Sequence, residues 1–176
     1  MRHRDGPVGR ETDIAESSQR WVWYGYGSTT RAEKNGIGRF LDDTTRIYAE
    51  VSVFALPTLL FIMGYPITTP VDAKATGIVG WATMTFVGTL IRGGWVRPLA
   101  TETRGWVTLS PWLLVLRLGY FPAALALATF GGIAVAGLAG SAVVGLLWAG
   151  GIAAVTMSVF PRVASAWLRW VRGLTA

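Results

Sequence analysis

Residues 118–161 read LGYFPAALALATFGGIAVAGLAGSAVVGLLWAGGIAAVTMSVFP, 44 consecutive positions without Asp, Glu, Lys or Arg. A hydrocarbon core roughly 30 Å thick needs about 20 apolar residues in a helix that rises about 1.5 Å per residue. The run is therefore too long for one crossing and suits two. Gly137, Gly140 and Ser141 supply turn chemistry, which predicts a helical hairpin with spans at 118–138 and 142–161. Upstream, Ser110-Pro111 reads as an N-cap followed by a proline at the first helical position. A helix starting there is expected to run along the interface as WLLVLRLGYF and to turn inward near Pro122.

Two more apolar stretches precede the hairpin. Between Glu50 and Asp72 lie 21 uncharged residues, giving a span at 47–66 with Asp42, Asp43, Thr44 and Thr45 as N-cap candidates. Pro66 and Pro70 close it, and Pro57 falls inside, where a missing backbone donor should kink the helix against a neighbour. A second span is placed at 71–91, with Thr69 as N-cap before Pro70. Its Gly and Thr content makes it the least apolar of the four, and a re-entrant or surface segment is the plainer alternative.

Charge is divided unevenly. Residues 1–46 carry 15 of the 26 charged side chains, so a polar N-terminal segment at 1–46 precedes an apolar body at 47–161. The expected fold class is all-α, a polytopic membrane protein with four transmembrane helices. Basic residues collect on the cytoplasmic side of short loops. With four spans, Lys34, Arg39, Arg46, Arg92, Arg97, Arg104, Arg117, Arg162, Arg169 and Arg172 share one side and Lys74 the other. Both termini are then cytoplasmic and the membrane is the cell membrane. Insertion is expected to be directed by the internal spans, since the first 46 positions stay polar around the aromatic run RWVWYGYGS at 20–28. Gly25-Tyr26-Gly27 in that run lacks the preceding Thr-Val and pore helix of a potassium filter, and Thr30 with Glu33 makes a weak capping box.

The residue 162–176 tail is amphipathic. At 100° per residue Arg162, Ser165, Arg169 and Arg172 share one face, while Val163, Ala166, Trp167 and Trp170 take another. Arg162, Trp167, Arg169, Trp170 and Arg172 are expected to anchor it at the inner interface, a specific anionic-lipid role being the sharper reading. In the hairpin, small residues recur every four positions, and Ala128, Gly132, Ala136, Gly145 and Ala149 are the expected close-packing positions. That stripe serves either the hairpin itself or a second chain.

With no cysteine and one histidine, His3, the chain lacks thiolate chemistry, sulfur-ligated metals and a histidine-based triad. No cofactor or metal is expected, no catalytic residue is assigned, and the protein is read as a non-enzyme. The net charge of +6 flanks apolar runs as membrane topology requires, so lipid is the expected partner rather than nucleic acid. Glu50 is the one ionisable side chain placed within a span. Pairing with Arg46 one turn earlier is its expected state, which makes Glu50→Gln harmless; a proton or cation site is the sharper reading. Arg117 is expected to snorkel. These features point to a non-catalytic accessory or scaffold subunit that works with a protein partner or as a homo-oligomer. The rival reading is a small oligomeric channel or carrier for ions or small solutes, lined by Thr76, Thr83, Thr85 and Thr89.

Overall fold

The computed structural model describes residues 36–68, 70–99 and 111–175. His3, the run at 20–28, Thr30, Glu33, Lys34, Thr69, Arg104 and Ser110 lie outside the described residues. All regular structure among the described residues is helical: α1 Gly36–Phe54, α2 Leu56–Gly64, α3 Ala73–Gly93, α4 Pro111–Ala139 and α5 Ala142–Thr175.

The stretch expected to be one span at 47–66 begins earlier and is broken. α1 starts at Gly36, inside the segment read as polar, because Asp43, Ile47, Val51 and Ala55 form a buried stripe at i, i+4 spacing. Thr44 and Thr45 therefore lie within the helix, and their hydroxyls donate to Phe40 O and Leu41 O instead of capping its start. Pro57 sits in the first turn of α2, where its missing N–H costs nothing. The break falls at Ala55, and the two helices meet at 67°. α2 stops at Gly64 because Tyr65, the residue before Pro66, takes the extended backbone that a following proline demands.

α3 begins at Ala73 rather than 71. Its N-cap is Asp72, whose carboxylate accepts from Lys74 N at 3.2 Å. At the other end Gly94 adopts φ +79°; its N–H donates to Ile91 O, and those of Trp95 and Val96 fold back onto Leu90 O. α3 contacts each of the other four helices. Its glycines make that possible: a Cβ on Gly88 would lie 2.8 Å from Ile47 of α1 and 2.9 Å from Met157 of α5. On the same helix, a Cβ on Gly80 would meet Ala128 of α4 at 3.2 Å.

α4 continues through Pro122, so the stretch WLLVLRLGYF, expected to run along the interface and turn inward near Pro122, is the start of the same helix. Thr58 Oγ1 of α2 donates to the Pro122 carbonyl at 3.3 Å. α5 likewise continues through Pro161 into the tail. Near that proline its carbonyls accept from outside the helix: Thr156 O from Tyr120 Oη at 2.7 Å and Ser158 O from Leu99 N at 3.0 Å. The turn between them holds Gly140 at φ +62°, which favours glycine.

α4 and α5 are long and apolar enough to cross a membrane, and α1 with α2 becomes a third such unit if the bent pair is one span. α3 has the length, about 31 Å at 1.5 Å per residue, but glycine and threonine keep its apolar content below theirs. Leu127, Leu138, Leu147 and Val155 point outward from the α4–α5 hairpin.

The closest backbone approach is between α4 and α5. A Cβ at Gly145 would lie 2.7 Å from both Ala136 Cβ and Gly132 O. Gly145→Ala should therefore cost about 1–3 kcal/mol by overpacking, and Gly132→Leu more. Gly151→Ala, with nothing within 4 Å, and Leu127→Ala, on the outer surface, should leave the unfolding temperature in detergent nearly unchanged. Equal tolerance of all four would mean that the helices do not approach this closely.

Candidate functional site

Asp43 and Glu50 lie seven residues apart, two turns along one face of α1. Each meets a guanidinium from another helix. Arg92, in the last turn of α3, places Nε 2.9 Å from Asp43 Oδ1. Arg117, in the second turn of α4, places Nε 2.7 Å from Glu50 Oε1. The side chains are 10% and 9% exposed in the first pair, and 3% and 16% in the second. Two carboxylates on one helix thus fasten two other helices, leaving four buried charges that sum to zero.

Local sequence explains how the groups arrive there. Arg92 sits where a basic side chain complements the C-terminal end of the helix dipole. The Gly93–Gly94 pair follows, and a Cβ on Gly93 would strike the Trp95 ring at 2.5 Å and stand 3.6 Å from Asp43 Oδ2. Glycine at this position leaves room for the Trp95 ring beside the end of α3. Lower on the same face, Trp81 Nε1 donates to Ser52 Oγ at 3.1 Å, and the Trp81 ring meets Tyr48 edge-on with centroids 5.2 Å apart. α1 and α3 are therefore joined by polar contacts along their length.

These contacts correct two expectations. Glu50 does not pair with Arg46, whose Nε lies 3.4 Å from Asp42 Oδ2 in an exposed i, i+4 pair. Arg117 does not snorkel: it is buried and turned inward to Glu50. The reason is the early start of α1, which carries Glu50 to its fourth turn and faces it toward α4. Asp43, Arg92 and Arg117 were missed as site residues, although the seven-residue spacing of Asp43 and Glu50 signals a shared face once the helix is known to start at Gly36. Their partners lie 49 and 67 residues away in sequence, beyond the reach of local spacing.

The other expected positions fall elsewhere in the bundle. Ala128, Gly132, Ala136, Gly145 and Ala149 are all buried, the first three on α4 and the last two on α5. Of the threonine stripe, Thr76, Thr85 and Thr89 are buried and Thr83 is partly covered. Thr76 donates to Ala73 O and Thr89 to Thr85 O, so both hydroxyls bond to their own helix. Arg162, Trp167, Arg169, Trp170 and Arg172 occupy the last turns of α5. Ala164, Leu168 and Val171 form the buried side of those turns, a third face beside the Arg and Trp faces. The described residues contain no group of three or more His, Asp or Glu side chains arranged to hold a metal ion.

A family model described as Domain of unknown function (DUF8215) matches residues 34–167, more than half of the chain. The chain belongs to that family. No curated protein and no solved structure matches it. The DUF8215 segment contains all four members of the two ion pairs and stops before Arg169.

Removing one partner of a buried pair leaves an uncompensated charge, which costs about 3–5 kcal/mol. Glu50→Gln and Arg117→Gln should each destabilise the protein on that scale, reversing the harmless Glu50→Gln expected from sequence. The double variant should lose less than the sum of the two. Arg46→Gln, at an exposed pair, should cost at most a few tenths of a kcal/mol. Denaturant unfolding in micelles measures all four, and additive losses would mean that Glu50 and Arg117 do not interact.

Proposed function

We propose that the chain is a multi-pass protein of the cell membrane, crossing it four times with both termini cytoplasmic, and that it serves as a non-catalytic accessory or scaffold subunit of a membrane complex. The observation that carries this reading is the engagement of both α1 carboxylates by guanidinium groups. Glu50, the side chain best suited by position to carry a proton or cation, is held by Arg117. Its part is to fix helices to one another, which is what a packing subunit requires.

Four crossings are supported by the position of α3. α3 packs against all four other helices and leaves one stripe exposed, Ala75, Ile78, Ala82 and Phe86. Glycine and threonine on its packed faces meet little lipid, so they cost little there and permit close approach, which fits a packed span. The charge pattern agrees in direction, with Lys74 at the start of α3, Arg97 beyond its other end, and Arg162 and Arg169 in the last turns of α5. Arg92 and Arg117 no longer count toward that asymmetry, since each is neutralised by a carboxylate.

Reporters inserted after Thr45, near Thr103 and at the C-terminus are expected to report cytoplasm, and insertions near Ala73 and Gly140 the outside. An external signal at Thr103 would remove the α3 crossing. For the role itself, the chain purified from its native membrane at native abundance should bring an unrelated membrane protein with it and should carry no flux in liposomes above protein-free controls. A homo-oligomer that conducts would replace this reading with the channel or carrier.

A further inference from the structure

The described carboxylates are all engaged. Asp42 pairs with Arg46, Asp43 with Arg92 and Glu50 with Arg117, while Asp72 caps α3. Cationic charge is therefore left over, and it is concentrated at one end of the bundle. Arg97, Arg162 and Arg169 are exposed there, with no described carboxylate against them. Leu99 N, two residues after Arg97, donates to Ser158 O of α5, one turn before Arg162, which brings that strand of chain onto the same part of α5.

Tryptophans edge the same surface and are fixed in place. Trp167 Nε1 donates to the Trp112 carbonyl at the start of α4, at 2.9 Å. The Trp167 and Trp170 rings lie 5.2 Å apart, and both Trp112 and Trp170 are largely exposed. The buried side of these turns, Ala164, Leu168 and Val171, holds the helix to the bundle. Arg and Trp side chains thus stand on the two faces that remain.

Length places this surface at headgroup depth. α5 has 34 residues, about 51 Å at 1.5 Å per residue, whereas a bilayer is about 40–45 Å thick with its headgroups. When the apolar part of α5 fills the hydrocarbon core, the turns bearing Arg162 to Trp170 pass through the headgroup layer. Guanidinium groups match phosphate in charge and geometry, and tryptophan rings favour this layer.

We infer that this Arg–Trp surface binds anionic phospholipid headgroups selectively, Arg162 and Arg169 pairing with phosphate while Trp112, Trp167 and Trp170 lodge beside the glycerol and upper acyl chain. The inference rests on the membrane reading and names the lipid class that this end of the bundle prefers.

The test uses the full chain reconstituted in phosphatidylcholine bilayers, with brominated phosphatidylglycerol or brominated phosphatidylcholine added in increasing proportion. Tryptophan quenching is read as the part that Trp170→Phe abolishes, which reports contact at this surface. Each basic side chain near an anionic lipid should contribute roughly five-fold in association. Half-quenching by phosphatidylglycerol should therefore need roughly twenty-five-fold less lipid than by phosphatidylcholine. The Arg162→Gln/Arg169→Gln variant should bring the two together by weakening phosphatidylglycerol alone, and Arg169→Gln by itself should lose roughly five-fold. Both arginines are exposed, so the variants should unfold at the native temperature. Equal half-quenching by the two lipids in the native chain overturns the inference, including the case in which these arginines hold an acidic segment of another protein. A preference that survives the double substitution also overturns it. A chain that does not partition into bilayers overturns the membrane reading together with this one.

Discussion

Two carboxylates on one face of α1 enter an apolar bundle, and each must meet a cation there. An isolated charge in such surroundings is costly enough to prevent folding. The Asp43–Arg92 and Glu50–Arg117 contacts therefore act as conditions on assembly more than as added stability. α1 can pack only where the end of α3 and the start of α4 present their arginines together. Seven residues between the acids set the offset of those arginines along the α1 axis. Any register of α3 or α4 that moved an arginine by one turn would leave a buried charge without its partner.

Once α3 is held at that end, the rest of its surface has to let four neighbours come close. Gly77, Gly80 and Gly88 do this at successive levels, against Ile62 of α2, Ala128 of α4, and Ile47 with Met157 of α1 and α5. Threonine contributes differently. By bonding to carbonyls of their own helix, Thr76 and Thr89 bury a polar group without asking a neighbour for a partner. The composition that makes α3 less apolar than α4 is thus the composition that a helix packed against four neighbours needs, and hydropathy alone undervalues it.

Much of the helix content was legible because chain length and charge-free runs act locally. The hairpin at 118–161 and its turn at Gly140 follow from a bilayer's thickness and from one residue type at positive φ, and both α4 and α5 appear with that turn. Pro57 marked the break at Ala55 because a proline is easily placed in the first turn of a new helix, whereas α4 and α5 continue through Pro122 and Pro161. The start of α1 was not legible in the same way. Read as a charged linker, Asp42 to Arg46 resembles a helix entry, and only the tertiary partner Arg92 makes Asp43 a buried residue. The candidate site was harder still. Glu50 stood out from its position, but its true partner is set by how α4 crosses α1, and a nearby arginine at i−4 is the natural choice when no other helix is in view. The continuation of α5 through Pro161 was obscured for a related reason: Tyr120 and Leu99 hold this part of the helix by donating to Thr156 O and Ser158 O, and their approach is tertiary.

The two ends of the bundle consequently rely on different forces. Near the Gly140 turn no ion pair is formed among the described residues, and cohesion comes from backbones in contact at Gly132 and Gly145, with Val71 packed against the same point. At the opposite end the helices are tied by ion pairs, with the Gly93–Gly94 turn beside one of them. Dispersion at a close backbone contact falls steeply with separation, whereas attraction between charges falls slowly. The glycine end is therefore intolerant of small displacements. The charged end fixes which helices are neighbours but tolerates small shifts between them. A bundle organised in this way is more rigid at the Gly140 turn and more adjustable where the ion pairs lie, and the exposed Arg97, Arg162 and Arg169 are at that second end, where a lipid or protein partner would meet the helices that have most freedom to adapt to it.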